Sequence, residues 1–240
     1  MIALVDIGNS RTKYCLVRNK KKGPIQSIAN EQLSNQYLAK AFSQVDKLIV
    51  ASVSDNNLTD NIELWCQGHH ISYERVISEK SKNGVLSAYH QPTQLGVDRW
   101  LTLIAANTLY PSKNTLIVDA GTATTFDLLA SNGVHQGGWI LAGIDTLFSC
   151  VLNNTSLVQA NVDKTASLSF GSCSSENVNN ATWAATIGAI HLAILQSEQQ
   201  GVVIDEIILT GGNGRTLASL LSHQCTVIED LVFIGLQTYI

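Results

Sequence analysis

A chain of 240 residues that is 45% hydrophobic can bury a sizeable core, either as one large domain or as two of about 100 to 130 residues. Charged residues make up only 14% and the net charge is -4, which leaves no electrostatic footprint for nucleic acid or an acidic membrane surface. Five cysteines, odd in number and without a C-x-x-C pair, argue against a disulfide framework; with no basic leader and no apolar run of bilayer length, the expectation is a soluble, unprocessed cytoplasmic protein.

In chain order, Met1 to Ile7 reads as a strand, Arg11 to Arg18 as its alternating return and Ile25 to Glu31 as a third. The basic run Arg18 to Lys22 between them reads as a solvated hairpin tip. Gln32 to Gln44 carries Leu33, Tyr37, Leu38, Ala41 and Phe42 at helical spacing. Lys47 to Val53 is the near-continuous apolar run of a strand buried on both faces, followed by a helix over Thr59 to Gly68 and a strand over Ile71 to Val76. Lys80 to Pro92 is polar and loop-like, and Gly96 to Tyr110 is a helix that opens on Asp98 and Arg99.

Pro111 to Lys113 breaks the chain, after which the pattern restarts. Asn114 to Val118, Thr122 to Ala130 and Val134 to Leu141 read as strands, the last interrupted at Gly137 and Gly138, and Gly143 to Asn153 as a helix. Lys164 to Ser175, rich in Ser, Gly and Thr, reads as a mobile or ligand-facing loop. Asn177 to Gln199 is a long helix, Asp205 to Thr210 a strand, Thr216 to Leu221 a helix, Thr226 to Glu229 a short strand and Leu231 to Ile240 a terminal helix.

Two segments repeat one device. Ala3 to Lys13 (ALVDIGNSRTK) and Leu116 to Asp127 (LIVDAGTATTFD) each run an apolar strand into Asp-x-Gly, a short turn, threonine and a return strand. Glycine there lets the backbone turn with unusual dihedrals and approach a ligand closely, while turn amides and hydroxyls suit a phosphate. An aspartate cannot pair with phosphate directly, so Asp6 and Asp119 would act through a hydrated cation. A single Asp-x-Gly is also an ordinary hairpin turn; two copies in corresponding places carry more weight. A third glycine loop, Gly211 to Gly214, follows a strand and opens a helix, where a base or phosphate can lie close.

Together the three loops resemble the phosphate 1, phosphate 2 and adenosine motifs of the actin, Hsp70 and sugar-kinase superfamily. The resemblance implies an α/β fold of two related actin-like (ribonuclease H-like) halves, residues 1–112 and 113–240. Each would be a mixed sheet beginning with three antiparallel strands and flanked by helices, the two closing on ATP between the hairpins. LGVDRW at Leu95 to Trp100, preceded by Tyr89 and Pro92, narrows this, as do GG-x-I at Gly137 to Ile140 and DLVFIGL at Asp230 to Leu236. In this order along the whole chain they resemble the type III pantothenate kinases.

That resemblance implies ATP-dependent phosphorylation of pantothenate, the first step of coenzyme A biosynthesis, with Asp98 as general base. Tyr89, Gly96, Val97, Arg99 and Thr182 would serve pantothenate. Asp6, Gly8, Asn9, Ser10, Thr12 and Lys13 would hold ATP phosphates, with magnesium bound to Asp6 through water. Gly121, Thr122 and Thr124 would serve the second phosphate side and Gly211 and Gly212 the adenosine. Asp119 would lie by a monovalent cation, potassium or ammonium. A homodimer is implied as well. Two departures stand out: Ala142 occupies the place of the family's proline before Gly143, and Asn180-Ala181-Thr182 displaces the threonine expected on the long helix.

Plainer readings sit beside these. Asp98 at a helix start complements the helix dipole, Lys13 on a return strand is an ordinary solvated side chain, and Tyr89 can be packing. The six histidines lack metal-ligand spacing, and Trp139 and Trp183 read as core or interface aromatics. The rival functions are a non-catalytic nucleotide-binding regulator of the transcription accessory type and an actin-fold kinase for another small acceptor.

Overall fold

The structure is a computed structural model that describes residues 1–161 and 165–240. The chain forms two compact units: Met1–Lys82, Tyr89–Ala105 and Asp230–Ile240 make up the first, Asn83–Ala88 and Ala106–Glu229 the second.

The first unit is built on a mixed sheet of β1 (Ile2–Ile7), β2 (Arg11–Arg18), β3 (Lys21–Lys22), β4 (Gln26–Ala29), β5 (Lys47–Ser52) and β6 (Ser72–Arg75). The order is β3-β2-β1-β5-β6, with β4 also on β2; β1 runs antiparallel to β2 and parallel to β5. Helices α1 (Asn35–Phe42) and α2 (Asn56–Gly68) cover one face, where Ala3, Val5, Ile7, Leu48 and Val50 pack with Leu38, Phe42, Ile62 and Trp65. The other face carries Leu4, Cys15, Ile49 and Ala51, against Val97 and Leu101 of α3 (Val97–Leu109). Alternation along each strand divides the residues between these faces. Complete burial of Leu4, Ile49 and Leu101 contributes roughly 1.5–3 kcal/mol per side chain.

The short strands β7 (Ser81–Lys82) and β8 (Val85–Leu86) fall in the stretch expected to be loop. The second unit then repeats the scheme with β9 (Thr115–Ala120), β10 (Ala123–Leu129), β11 (His135–Ala142), β12 (Glu206–Thr210) and β13 (Thr226–Val227), ordered β11-β10-β9-β12-β13. Here β9 is antiparallel to β10 and parallel to β12. Its helices are α4 (Ile144–Asn153), α5 (Ser174–Gln199) and α6 (Gly214–Leu220). Trp183, Ile187, Ile190 and Ile194 of α5, at three- and four-residue spacing, pack on Leu116, Val118, Ala120 and Phe126. The α/β class with two mixed sheets, each opening on three antiparallel strands, is the one the sequence implied.

Several boundaries move for local reasons. The first helix starts at Asn35 because Ser34 caps it, its side chain accepting from Tyr37 N at 3.3 Å. The second starts at Asn56 rather than Thr59, since Asp55 accepts from Asn57 N at 3.1 Å. Gly137 and Gly138 do not interrupt β11; the extra residue Gln136 forms a bulge opposite Leu128 and Leu129. The sixth helix begins inside the third glycine loop, at Gly214. The terminal helix α7 (Leu231–Leu236) passes into a 3-10 turn over Gln237–Tyr239.

Lys22 is not a solvated tip residue: the hairpin turns at Asn19 and Lys20, both with positive φ, and Lys22 pairs with Asp230 at the head of α7. Of the loop expected from Lys164, that residue lies outside the described residues, and 165–173 holds no regular element.

Candidate active site

The two repeated hairpins differ in loop length. In the first, Ile7 opposes Thr12 across a loop of 8–11, so Asp6 faces Lys13; in the second, Ala120 opposes Thr124 across 121–123, so Asp119 faces Thr125. Directly opposed residues project from the same sheet face. Asp6 and Lys13 therefore share the face of Leu4, Cys15, Ile49 and Ala51, the one covered by α3. In both loops the glycine amide closes the hairpin, Gly8 N donating to Arg11 O and Gly121 N to Ala123 O, each at 3.0 Å.

The unusual dihedrals expected of these glycines are absent. Neither Gly8 nor Gly121 has positive φ, and a Cβ would meet Arg11 O at 3.2 Å in the first and nothing closer than 3.6 Å in the second. At Gly121 the hairpin itself leaves room for a side chain.

The carbonyls of both turns are held from behind. Asn30, immediately after β4, donates from Nδ2 to Gly8 O at 2.8 Å and to Asn9 O at 3.2 Å, and from its backbone N to Ser10 O at 3.0 Å. At the second turn Gly143 N and Thr146 Oγ1 donate to Thr122 O at 3.0 and 2.9 Å. Gly143 is required sterically, because a Cβ there would sit 2.2 Å from Gly121 O and 2.6 Å from Thr122 O. Gly211, with φ +81°, approaches from the other side; its Cβ would lie 2.5 Å from Asp119 Oδ1 and 2.6 Å from Ala120 O. Asn213 N donates to Ala120 O at 3.1 Å. Asp119, Gly121, Thr122 and Gly211 thus come together in one unit, with open space at Gly212.

In the first unit, Asp98 opens α3. Its Oδ1 accepts from Arg99 N at 2.7 Å and would lie 2.5 Å from a Cβ on residue 96, so a side chain there would displace the carboxylate from this position. Arg99 is buried; its guanidinium donates to Tyr89 Oη at 3.1 Å and lies over the Tyr89 ring. Ser78 Oγ donates to Leu95 O at 2.8 Å and steadies the approach to this turn. Tyr89, Gly96, Val97, Asp98 and Arg99 therefore form one cluster, and Val97 joins it to the sheet face that carries Asp6.

The sequence matches the family model for type III pantothenate kinase over residues 2–196. A type III pantothenate kinase of Colwellia psychrerythraea strain 34H is 50% identical over 249 aligned residues, spanning all of both chains. This chain belongs to the type III pantothenate kinase family. A further type III pantothenate kinase, from Pseudoalteromonas translucida strain TAC 125, is 34% identical over 93% of this chain and 88% of its own. Among solved structures, a Campylobacter jejuni protein assigned to the Baf family of transcriptional activators aligns with a TM-score of 0.63 at 22% identity, covering 98% of this chain and 96% of that one. The ADPNP-bound activator of 2-hydroxyisocaproyl-CoA dehydratase from Clostridium difficile aligns at 0.54 and 12%, over 99% and 93%. These two establish the fold, an actin-like α/β architecture.

As a type III pantothenate kinase, the chain is an enzyme whose substrates are pantothenate and ATP, used with a divalent metal in coenzyme A biosynthesis. In the first turn the carbonyls of Gly8, Asn9 and Ser10, and in the second that of Thr122, are already engaged by protein donors. Among the described residues no group of three or more His, Cys, Asp or Glu could hold a metal ion; magnesium carried on phosphates needs only one or two carboxylates.

Not every candidate residue of the kinase faces the same way. Thr12 is buried and donates to Asn30 Oδ1 at 2.8 Å, on the face opposite Asp6. Its counterpart Thr124 is also buried, and its hydroxyl has no hydrogen-bond partner among the described residues. Thr182 is buried within α5 and donates to Asn179 O at 2.7 Å, so contact with pantothenate requires that bond to be exchanged. Asn30, Ser78, Gly143 and Thr146 were missed by sequence reasoning. For Asn30 the available signal was an asparagine near the end of the stretch 25–31 read as a strand; for Gly143 it was the glycine that follows Ala142, where the resemblance expects a proline.

Proposed function

We propose that Asp98 is the general base of the pantothenate kinase reaction. The pantothenate hydroxyl oxygen bonds to the γ-phosphorus of ATP, the bond from that phosphorus to the ADP oxygen breaks, and the hydroxyl proton passes to the Asp98 carboxylate. Transfer proceeds through a loose transition state, so one carboxylate that aligns the alcohol and takes its proton late is sufficient. The observation that carries the reading is the packing of Val97 on the sheet face that holds Asp6, within one compact unit.

In this reading Arg99 and Tyr89 act together on the charged and polar end of pantothenate, beside Gly96 and Val97. Gly8, Asn9, Ser10 and Lys13 contact phosphate, with Thr12 bracing them, and Asp6 binds magnesium through water. Gly121, Thr122 and Thr124 belong to the second phosphate turn, Gly211 and Gly212 to the nucleotide. Asp119 lies beside a monovalent cation, potassium or ammonium, which supplies fixed positive charge where the loops hold few basic residues. Thr182 is retained as a pantothenate residue through exchange of its present bond.

A homodimer is part of the proposal. It is supported by Trp139 and Ile140, 40% and 66% exposed on the edge strand β11, and by Leu192 and Leu195 exposed on α5. A cytoplasmic location belongs to the same reading; no helix among the described residues is long and apolar enough to cross a membrane.

Purified protein with ATP, magnesium and potassium should consume ATP only when pantothenate is added, and equal turnover with sugars or acetate would sink the acceptor assignment. Asp98→Asn should lower kcat by about 100-fold or more with nucleotide binding retained, as expected for loss of a general base. A variant that keeps its kcat rejects Asp98 in that role.

A further inference from the structure

We infer that Asn30 is a positioning residue for the nucleotide, holding the 8–11 turn so that its amide groups face the phosphates. This rests on the kinase reading of the hairpin. The side chain of Asn30 is engaged at both ends: Nδ2 donates to Gly8 O and Asn9 O, while Oδ1 accepts from the buried Thr12 hydroxyl at 2.8 Å. Carbonyl oxygens only accept, so the amide nitrogen must be the end that faces the turn. With the backbone bond from Asn30 N to Ser10 O, one residue holds three successive carbonyls.

Peptide planarity turns this into a prediction about the other side of the loop. In a trans peptide the C=O of one residue and the N–H of the next point in opposite directions. With the carbonyls of Gly8, Asn9 and Ser10 drawn back to Asn30, the N–H groups of Asn9, Ser10 and Arg11 are aimed away from it. Successive amides pointing one way form a concavity for anions.

The second hairpin arrives at a comparable arrangement with different residues. Its Thr122 carbonyl is held by Gly143 N and Thr146 Oγ1, both from the segment that follows the third strand of its sheet. Two turns of different length, each held from behind by the chain that follows a strand paired with the return strand (β4 on β2, β11 on β10), point to a shared requirement for amide direction beyond mere closure of a hairpin.

Steady-state kinetics of Asn30→Ala and Asn30→Asp, varying each substrate in turn, test this. The aspartate keeps the shape and the acceptor for Thr12 while removing the donors to the turn, so it remains informative if the alanine variant does not fold. The expected result is an ATP KM raised about tenfold, the scale of one or two lost hydrogen bonds, with the pantothenate KM within about twofold of the parent. Binding of a non-hydrolysable ATP analogue, followed by calorimetry, should weaken by a similar factor. An unchanged ATP KM alongside a lowered Tm would make Asn30 a structural brace only, and parallel rises in both KM values would also overturn the inference. If the parent protein consumes no ATP with pantothenate, the acceptor reading fails, and the analogue-binding comparison still decides on Asn30.

Discussion

Replacing Gly143 by alanine isolates one contact of the second phosphate turn. The backbone at Gly143, φ -66° and ψ 168°, suits any L-residue, so the substitution adds no torsional strain and its effect is purely one of space. The new methyl would lie 2.2 Å from Gly121 O, whereas an ordinary carbon–oxygen contact is about 3.3 Å. The turn must retreat by about 1 Å, and the bonds to Thr122 O from Gly143 N and Thr146 Oγ1 lengthen with it. Overpacking of this kind costs about 1–3 kcal/mol, and a lost hydrogen bond adds about 1 kcal/mol. At about 2–4 °C per kcal/mol for a chain of this size, Tm should fall by roughly 4 to 16 °C. A 1 Å displacement of a group that positions substrate can lower turnover by about 100-fold. Thermal unfolding with and without ATP, and pantothenate-dependent ATP consumption, check both expectations. A Gly143→Ala protein with the parental Tm and ATP KM would refute the assignment of this glycine to the turn.

Gly235→Ala sets two effects of opposite sign against each other in α7. Alanine favours a helix by about 1 kcal/mol, but its methyl would sit 2.3 Å from Leu101 O on α3, a backbone atom that cannot swing aside. The clash should win and lower Tm; a rise would show that α7 does not need that approach. Cysteine reactivity should divide by burial: iodoacetamide at pH 8 should label the exposed Cys150 and Cys173 and spare Cys15 and Cys66 until the protein unfolds. Burial pushes both of the latter thiols up to about 11 from an ordinary value of 9.0. For Cys15, Lys22 partly offsets the rise and Asp230 adds to it; for Cys66, Glu63 adds to it. Because the folded state disfavours the thiolate, the stability linked to these groups is fully present below pH 9.0 and is lost as pH rises towards about 11. Chemical denaturation midpoints that stay level across that interval for the parent, or that fall equally in a Cys15→Ala, Cys66→Ala variant, would contradict this linkage.

Much of the site was legible because its residues sit in local patterns. The apolar runs before Asp6 and Asp119, with glycine and threonine after them, announce strand, turn and return strand, and β2 runs over Arg11–Arg18 as read. The cluster at the head of α3 was legible for the same reason, since Gly96, Asp98 and Arg99 act within one turn of chain. Asn30 was not legible: its partners lie about twenty residues earlier, and an asparagine after a strand is common in any loop. The ion pair of Lys22 with Asp230 joins residues 208 apart in sequence, so a lysine in a basic run looked like a solvated tip. The unusual dihedrals expected at Gly8 and Gly121 are absent, because spacing reveals a glycine but not its dihedrals.

By itself the sequence determined the order of the longer strands and helices, the duplicated hairpins and the family, because periodicity and short motifs are properties of neighbouring residues; the two-residue strands β3, β7 and β8 are too short to leave such a pattern. The tertiary structure decided register and facing. A loop over 8–11 in one hairpin and over 121–123 in the other still leaves each aspartate on one face and the following Thr12 or Thr124 buried on the opposite one. Successive strand residues project to opposite faces, so a slip of one position would exchange carboxylate and hydroxyl. What holds that register is the packing of Leu4 and Val118 against helices remote in sequence, together with the carbonyl anchors at Asn30 and Gly143.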